Sequence, residues 1–121
     1  MKALILIAHG SRKALSNSEF NEFVKQIAKE DKSYDKVLPA FLELCEPSIE
    51  ESTKVLCKSS YDEIYYYPYF LNSGRHILSD IPEIIEKLQK EYSDKKLILL
   101  PHFGKSEKIK NVILKDIELD K

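Results

Sequence analysis

The sequence predicts an α/β fold: a single-domain, three-layer αβα sandwich around a four-stranded parallel sheet in the flavodoxin-like order 2-1-3-4. Three observations carry this. Strand-like and helix-like stretches alternate strictly along the 121 residues. The first strand, "ALILIA" (3–8), is apolar at every position, as expected of a strand covered on both faces. Pro39 interrupts the second strand, and a residue with no N–H to donate belongs at a sheet edge.

The elements follow in order. After the first strand the apolar period changes: Phe20, Phe23, Val24, Ile27 and Ala28 mark one face of a helix, with Ser16 and Glu19 as its capping box. "KVLPAFLEL" (36–44) is the edge strand. Pro47 suits the first turn of a second helix running to about Lys58. "DEIYYYPYFL" (62–71) is a third strand, rich in aromatic residues that favour strands. Asp80 and Glu83 around Pro82 repeat the capping-box pattern, with Ile81, Ile84, Ile85 and Leu88 as the buried face of the third helix. "KLILLP" (96–101) is the fourth strand, and Ser106 caps a last helix that turns Ile109, Val112, Ile113 and Ile117 inward. Strict alternation with short connections gives parallel strands and helices on both faces.

Composition narrows the function. A net charge of −1 gives no basic field for nucleic acid. The opening apolar run is too short to span a membrane and has no cleavage site after it, so the expected compartment is the cytoplasm. Two cysteines, Cys45 and Cys57, lack zinc-ligand spacing and suit a reducing compartment.

The strand tips carry the chemistry. The first strand ends at His9, the second at Glu43, and the third leads through "NSGRH" to His76, at nearly equal spacing along the chain. Parallel α/β sheets bind ligands beyond the carboxyl ends of their strands, near the switch point between strands one and three. Two imidazoles and a carboxylate suit a borderline divalent cation, and neutral imidazole also accepts protons near pH 7. The only arginines, Arg12 and Arg75, lie within three residues of these histidines and suit a bidentate grip on carboxylates or phosphates. Ser11 and the amides after His9 could hold a carboxylate at a helix start. Gly10, Gly74 and Gly104 permit tight turns or the close approach of a flat ligand. His102 stands near the outer fourth strand and is read as a structural or rim residue.

The segments "AHGSR", "AFLELCEPSIEE", "YYPYFLNSGRHILSDIPEII" and "LPHFG" resemble the short form of the CbiX-type sirohydrochlorin chelatases, class II chelatases, in order over nearly the whole chain. The resemblance implies a single CbiX-type domain over 1–121 with a chelatase-like fold. It implies a lyase that inserts Co²⁺, Fe²⁺ or Ni²⁺ into sirohydrochlorin or a related anionic tetrapyrrole without ATP, on routes to cobalamin, sirohaem or coenzyme F430. Cobalt is the first choice among these metals. The metal is a substrate, and no cofactor is permanently bound. By the same resemblance His9, Glu43 and His76 surround the metal and do the catalysis, with Ser11, Arg12, Gly74 and Arg75 binding the macrocycle and Lys13 and Lys105 at its rim. A short member needs a second copy to complete the pocket, so a homodimer is implied, with no nucleic acid or membrane as partner. The loop "PHFGK" departs from many relatives in its histidine, which alters the rim. Two rivals stand beside this reading. A histidine phosphatase would need an arginine before the histidine, where this chain has Ala8. A non-enzymatic metal or tetrapyrrole carrier would show the same ligands without turnover.

Overall fold

The computed structural model describes residues 1–72 and 74–119, with the side chains of residues 75–78 outside the description. The elements are β1 (Lys2–Ala8), α1 (Ala14–Glu30), β2 (Lys36–Phe41), α2 (Ile49–Cys57), β3 (Glu63–Pro68), α3 (Arg75–Glu91), β4 (Lys96–Leu99), a 3-10 turn (Phe103–Lys105) and α4 (Lys108–Asp116). All pairings are parallel and the sheet order is β2-β1-β3-β4, as the sequence predicts. Pro39 lies on an edge strand, where its missing N–H costs no ladder bond to a further strand.

β1 is apolar throughout because it is central and covered on both sides. Ala3, Ile5 and Ile7 face α2 and α3, packing with Ala40, Ile49, Leu56, Ile64, Tyr66, Ile81, Ile85 and Leu88. Leu4 and Leu6 face the other way, against Phe20 and Val24 of α1 together with Val37 and Phe41. This makes three layers. Inside the first core, Thr53 Oγ1 donates to the Ile49 carbonyl at 2.8 Å, so its 2.8 Å contact with Tyr66 is a bond donated by the tyrosine. Burial holds the Tyr66 hydroxyl far above its ordinary pKa, so it stays protonated and needs that acceptor. Thr53→Val therefore strands a buried O–H and should lower unfolding free energy by about 2 kcal/mol. Tyr66→Phe, which leaves no orphaned donor, should cost less; urea denaturation of both variants checks the order.

The element ends differ from the sequence reading. Helix α1 starts at Ala14, and its N-cap Lys13 makes no side-chain cap bond; Ser16 lies inside the helix. Helix α2 is capped by Ser48, with Glu51 completing the capping box, so Pro47 precedes the cap instead of opening the first turn. Strand β2 stops at Phe41 rather than residue 44, since the chain bends over 42–47 with Leu44 at φ 67°. Strand β3 stops at Pro68 and β4 at Leu99. Helix α3 starts at Arg75, N-capped by Gly74, which places Asp80, Pro82 and Glu83 within the helix rather than at its start. Pro82 removes one intrahelical bond there, a cost that the burial of Ile81, Ile85 and Leu88 on the same helix outweighs.

The largest departure concerns α4. Its apolar residues are not turned inward: Val112, Ile113 and Ile117 are 57%, 52% and 64% exposed, and no residue of the helix is buried. No described helix long and apolar enough to cross a membrane is present.

Candidate functional site

The carboxyl edge of the sheet brings two of the three predicted tips into direct contact. Parallel pairing continues past the end of β2, with Leu42 N donating to the Ala8 carbonyl at 2.9 Å and Glu43 N to the His9 carbonyl at 3.0 Å. That backbone register sets the two side chains together, and His9 Nε2 lies 2.8 Å from Glu43 Oε1. Both side chains are a little over half exposed, so the pair can exchange its bond for one to a ligand. If Nε2–H donates to Glu43, Nδ1 is left as an acceptor. The ring of Phe70, buried at the end of the third strand's path, meets the His9 ring edge-on with centroids 6.1 Å apart.

Gly10 makes the close approach of the two tips feasible. Its φ is +100°, and a Cβ there would overlap the Glu43 carbonyl oxygen. Gly74, in contrast, has φ −64° and open space where a Cβ would stand, so among the described residues nothing requires glycine at that position.

Ser11 is committed to the loop that follows. Its Oγ accepts from Lys13 N at 3.0 Å, and Asn17 clasps its backbone, accepting from Ser11 N at 3.0 Å and donating to Ser11 O at 2.8 Å. The Ser11 and Lys13 amides are therefore already paired, while the serine O–H can still donate outward. Arg12 is exposed on this loop. Arg75 and His76 open α3, placing their backbone at the start of that helix, but their side chains fall outside the described residues. His102 precedes the 3-10 turn and, with Lys105, lines a separate cavity of about 290 Å³ floored by Pro68, Ile81, Pro82 and Leu99.

His9 and Glu43 open onto a cavity of about 490 Å³ whose other wall is α3, through Asp80, Glu83, Ile84 and Lys87. These side chains are one helical stripe at spacings of three and four, the geometry that puts residues on one face. Sequence reasoning assigned Asp80 and Glu83 to a helix cap, and their place on the cavity wall was legible only if the helix began a turn earlier. Phe70 belongs to the aromatic run 65–70, which reads as strand packing with one or two rings able to line a pocket, but its contact with His9 was not foreseen; Asn17 was missed, because nothing in a lone amide signals a part in closing a loop. Among the described residues the cavity sets three carboxylates against one lysine, a balance that favours cations. Among the described residues no group of three His, Cys, Asp or Glu side chains converges as a preformed metal centre. His9 and Glu43 supply two donors of the kind a borderline divalent ion takes.

Comparison with known proteins bears on family and fold. The CbiX family model matches residues 3–119. The chain is 34% identical over 110 residues to the chloroplastic sirohydrochlorin ferrochelatase of Arabidopsis thaliana, covering 91% of this chain and 48% of that protein. It is 35% identical over 94 residues to the sirohydrochlorin cobaltochelatase of Methanopyrus kandleri, covering 78% of this chain and 64% of that one. It thus spans about half to two thirds of the length of these relatives. The sirohydrochlorin chelatase SirB from Bacillus subtilis subspecies spizizenii, solved in complex with cobalt, superposes with a TM-score of 0.83 at 28% identity, over 96% of this chain and 50% of SirB. With its sheet order shared with solved relatives and a family match over residues 3–119, this chain belongs to the CbiX family.

Proposed function

We propose that this protein is a sirohydrochlorin chelatase that inserts a divalent metal, Co²⁺ first and Fe²⁺ or Ni²⁺ as alternatives, into sirohydrochlorin. The observation that carries the reading is the His9–Glu43 pair at 2.8 Å on the rim of an acid-lined cavity beyond the strand tips. Insertion replaces two pyrrole N–H protons by one M²⁺, so the site must release a cation and take up protons within the same few ångströms. His9 and Glu43 hold the incoming ion by opening their mutual hydrogen bond; as the metal leaves, one of them accepts one of the two pyrrole protons and the other proton passes to solvent at this exposed edge. His76, at the start of α3, is the third ligand. The main catalytic gain comes from holding the ion against the macrocycle, since the chemistry is ligand exchange. Arg12, Arg75 and the outward-donating Ser11 hydroxyl grip the carboxylates of the substrate. Gly74, with open space beside it, lets the flat ring lie close to the backbone.

A second copy of the chain supplies the opposite wall of the macrocycle pocket. The support is twofold: the chain matches only half of SirB, and the cavity beside His9 is open. The enzyme works in the cytoplasm, with no resident cofactor and no nucleic acid or membrane as partner.

The test is anaerobic turnover of sirohydrochlorin by trace protein, followed in the visible spectrum with each metal in parallel. Multiple turnovers above the spontaneous rate are expected, fastest with Co²⁺; a single stoichiometric transfer would instead fit a carrier. The cavity wall adds a finer prediction. Glu83→Gln should raise the KM for metal about 3-fold and leave kcat nearly unchanged, because a half-screened carboxylate attracts the ion without touching the reacting nitrogens. The difference should shrink at high salt.

A further inference from the structure

Past the end of β2 the chain doubles back over residues 42–47. Leu42 N and Glu43 N are tied to the Ala8 and His9 carbonyls, and Phe41 N donates to the Pro47 carbonyl at 2.8 Å, so the chain must leave the sheet and return beside the strand it left. Leu44 sits in this reversal at φ 67°, and among the described residues it is the only one other than glycine with a positive φ. Glycine or asparagine takes that conformation readily, whereas leucine is strained in it. Packing within the chain does not offset the strain: Leu42 and Cys45 on either side pack against the two cores, but Leu44 is 55% exposed. Strained residues of this kind collect where a ligand is held. Leu44 directly follows Glu43, the partner of His9. The cavity of about 490 Å³ beside that pair takes its β2-side wall from Leu42 and Glu43, and it admits an ion but not a tetrapyrrole with its carboxylate arms. The ring must therefore rest on the exposed strand exits outside that wall. At the exit of β3 stands another exposed leucine, Leu71, whose carbonyl is close enough to Gly104 to exclude a Cβ there. The sheet order β2-β1-β3 sets the His9 tip between these two exits, on strands about 10 Å apart. Charged groups grip the arms of the macrocycle, but its face is apolar and gains from burial against aliphatic carbon.

We propose that Leu44 is a substrate-binding residue that lies against the apolar face of the tetrapyrrole, presented there by the left-handed turn at the exit of β2. The proposal rests on the chelatase reading above and names a group that holds the ring's face rather than its carboxylates. It accounts for a branched aliphatic side chain at a position where glycine or asparagine would suit the backbone better.

Leu44→Asn keeps a residue that tolerates the left-handed turn and removes the aliphatic surface. It should melt at or above the wild-type midpoint and sediment as the wild type does. Its KM for sirohydrochlorin should rise about 10-fold, the scale of losing most of a leucine's burial, while kcat and the KM for Co²⁺ stay unchanged. Leu44→Met, which restores an aliphatic surface, should return the KM for sirohydrochlorin to the wild-type value. A lower melting point in Leu44→Asn would show that the leucine serves the fold, and altered sedimentation would show that it serves a contact between copies; either overturns the proposal. So does a KM for Co²⁺ that rises together with that for sirohydrochlorin, which would mean that the turn positions Glu43 instead. Absorbance titration of sirohydrochlorin without metal separates the proposal from the chelatase reading. A wild type that turns over, with equal affinity for the macrocycle in Leu44→Asn, sinks the leucine contact and spares the chelatase. Affinity that falls in Leu44→Asn while neither protein turns over does the reverse, and a wild type that binds no sirohydrochlorin removes both.

Discussion

Replacing His9 by alanine is expected to lower metal insertion by about 100-fold or more, the scale of losing a positioned acid–base group that also holds the ion. The fold should survive, because the His9 side chain is 54% exposed and its bond to Glu43 is made at the surface, where neither partner is left buried and unpaired. The rate loss should therefore come with near-normal thermal stability and near-normal binding of the macrocycle, read by its absorbance change on titration without metal. Glu43→Gln is the informative companion. It keeps a group able to bond with Nε2 but removes a charge that binds the cation, so a smaller loss of about 10-fold is expected. Initial rates with Co²⁺ under anaerobic conditions order the three proteins. A His9→Ala variant that inserts metal at the wild-type rate would remove the imidazole from the mechanism.

What could be read from the sequence follows the range of the forces involved. The unbroken apolar run of β1 reports burial on two faces, and Pro39 reports an edge, so strand order could be derived from two local facts. His9 and Glu43 could be paired because parallel βα units bring each strand tip to one edge of the sheet. The caps were harder. Ser16 precedes a good apolar stripe, but the loop before α1 is closed by Asn17 clasping Ser11, a contact between residues that show no pattern in advance. Pro82 and its flanking acids look like a helix start because proline is best tolerated there, and only the helical backbone of residues 75–80 shows the helix running through it. Helix α4 is the opposite case. Its periodicity is correct and its burial is not, because periodicity identifies an apolar face without saying which molecule covers it.

Gly10→Ala should be the most damaging single methyl group that can be added at this edge. Two penalties act together at that position. A φ of +100° is a conformation that residues with a side chain rarely adopt, and the added Cβ would fall on the Glu43 carbonyl oxygen. The flexible end of a long side chain could yield to such a contact, but this carbonyl belongs to the residue whose amide already bonds to the His9 carbonyl at 3.0 Å. Relieving the overlap must therefore part the two strand tips. Unfolding free energy should fall by about 2 kcal/mol or more from the backbone conformation alone, with the thermal midpoint dropping by roughly 8 °C or more. Activity should fall further than stability. Below the melting transition the variant is still folded, but His9 and Glu43 are no longer held at bonding distance, and misplacement by about 1 Å costs on the order of 100-fold in rate. Calorimetry and insertion assays on one preparation, at a temperature where the variant is fully folded, separate the two effects. Gly74→Ala is the control for stability, since its φ is ordinary and a Cβ there meets open space: it should melt with the wild type. If Gly10→Ala also melts with the wild type and inserts metal at the normal rate, the register of the two tips does not set the geometry of the site.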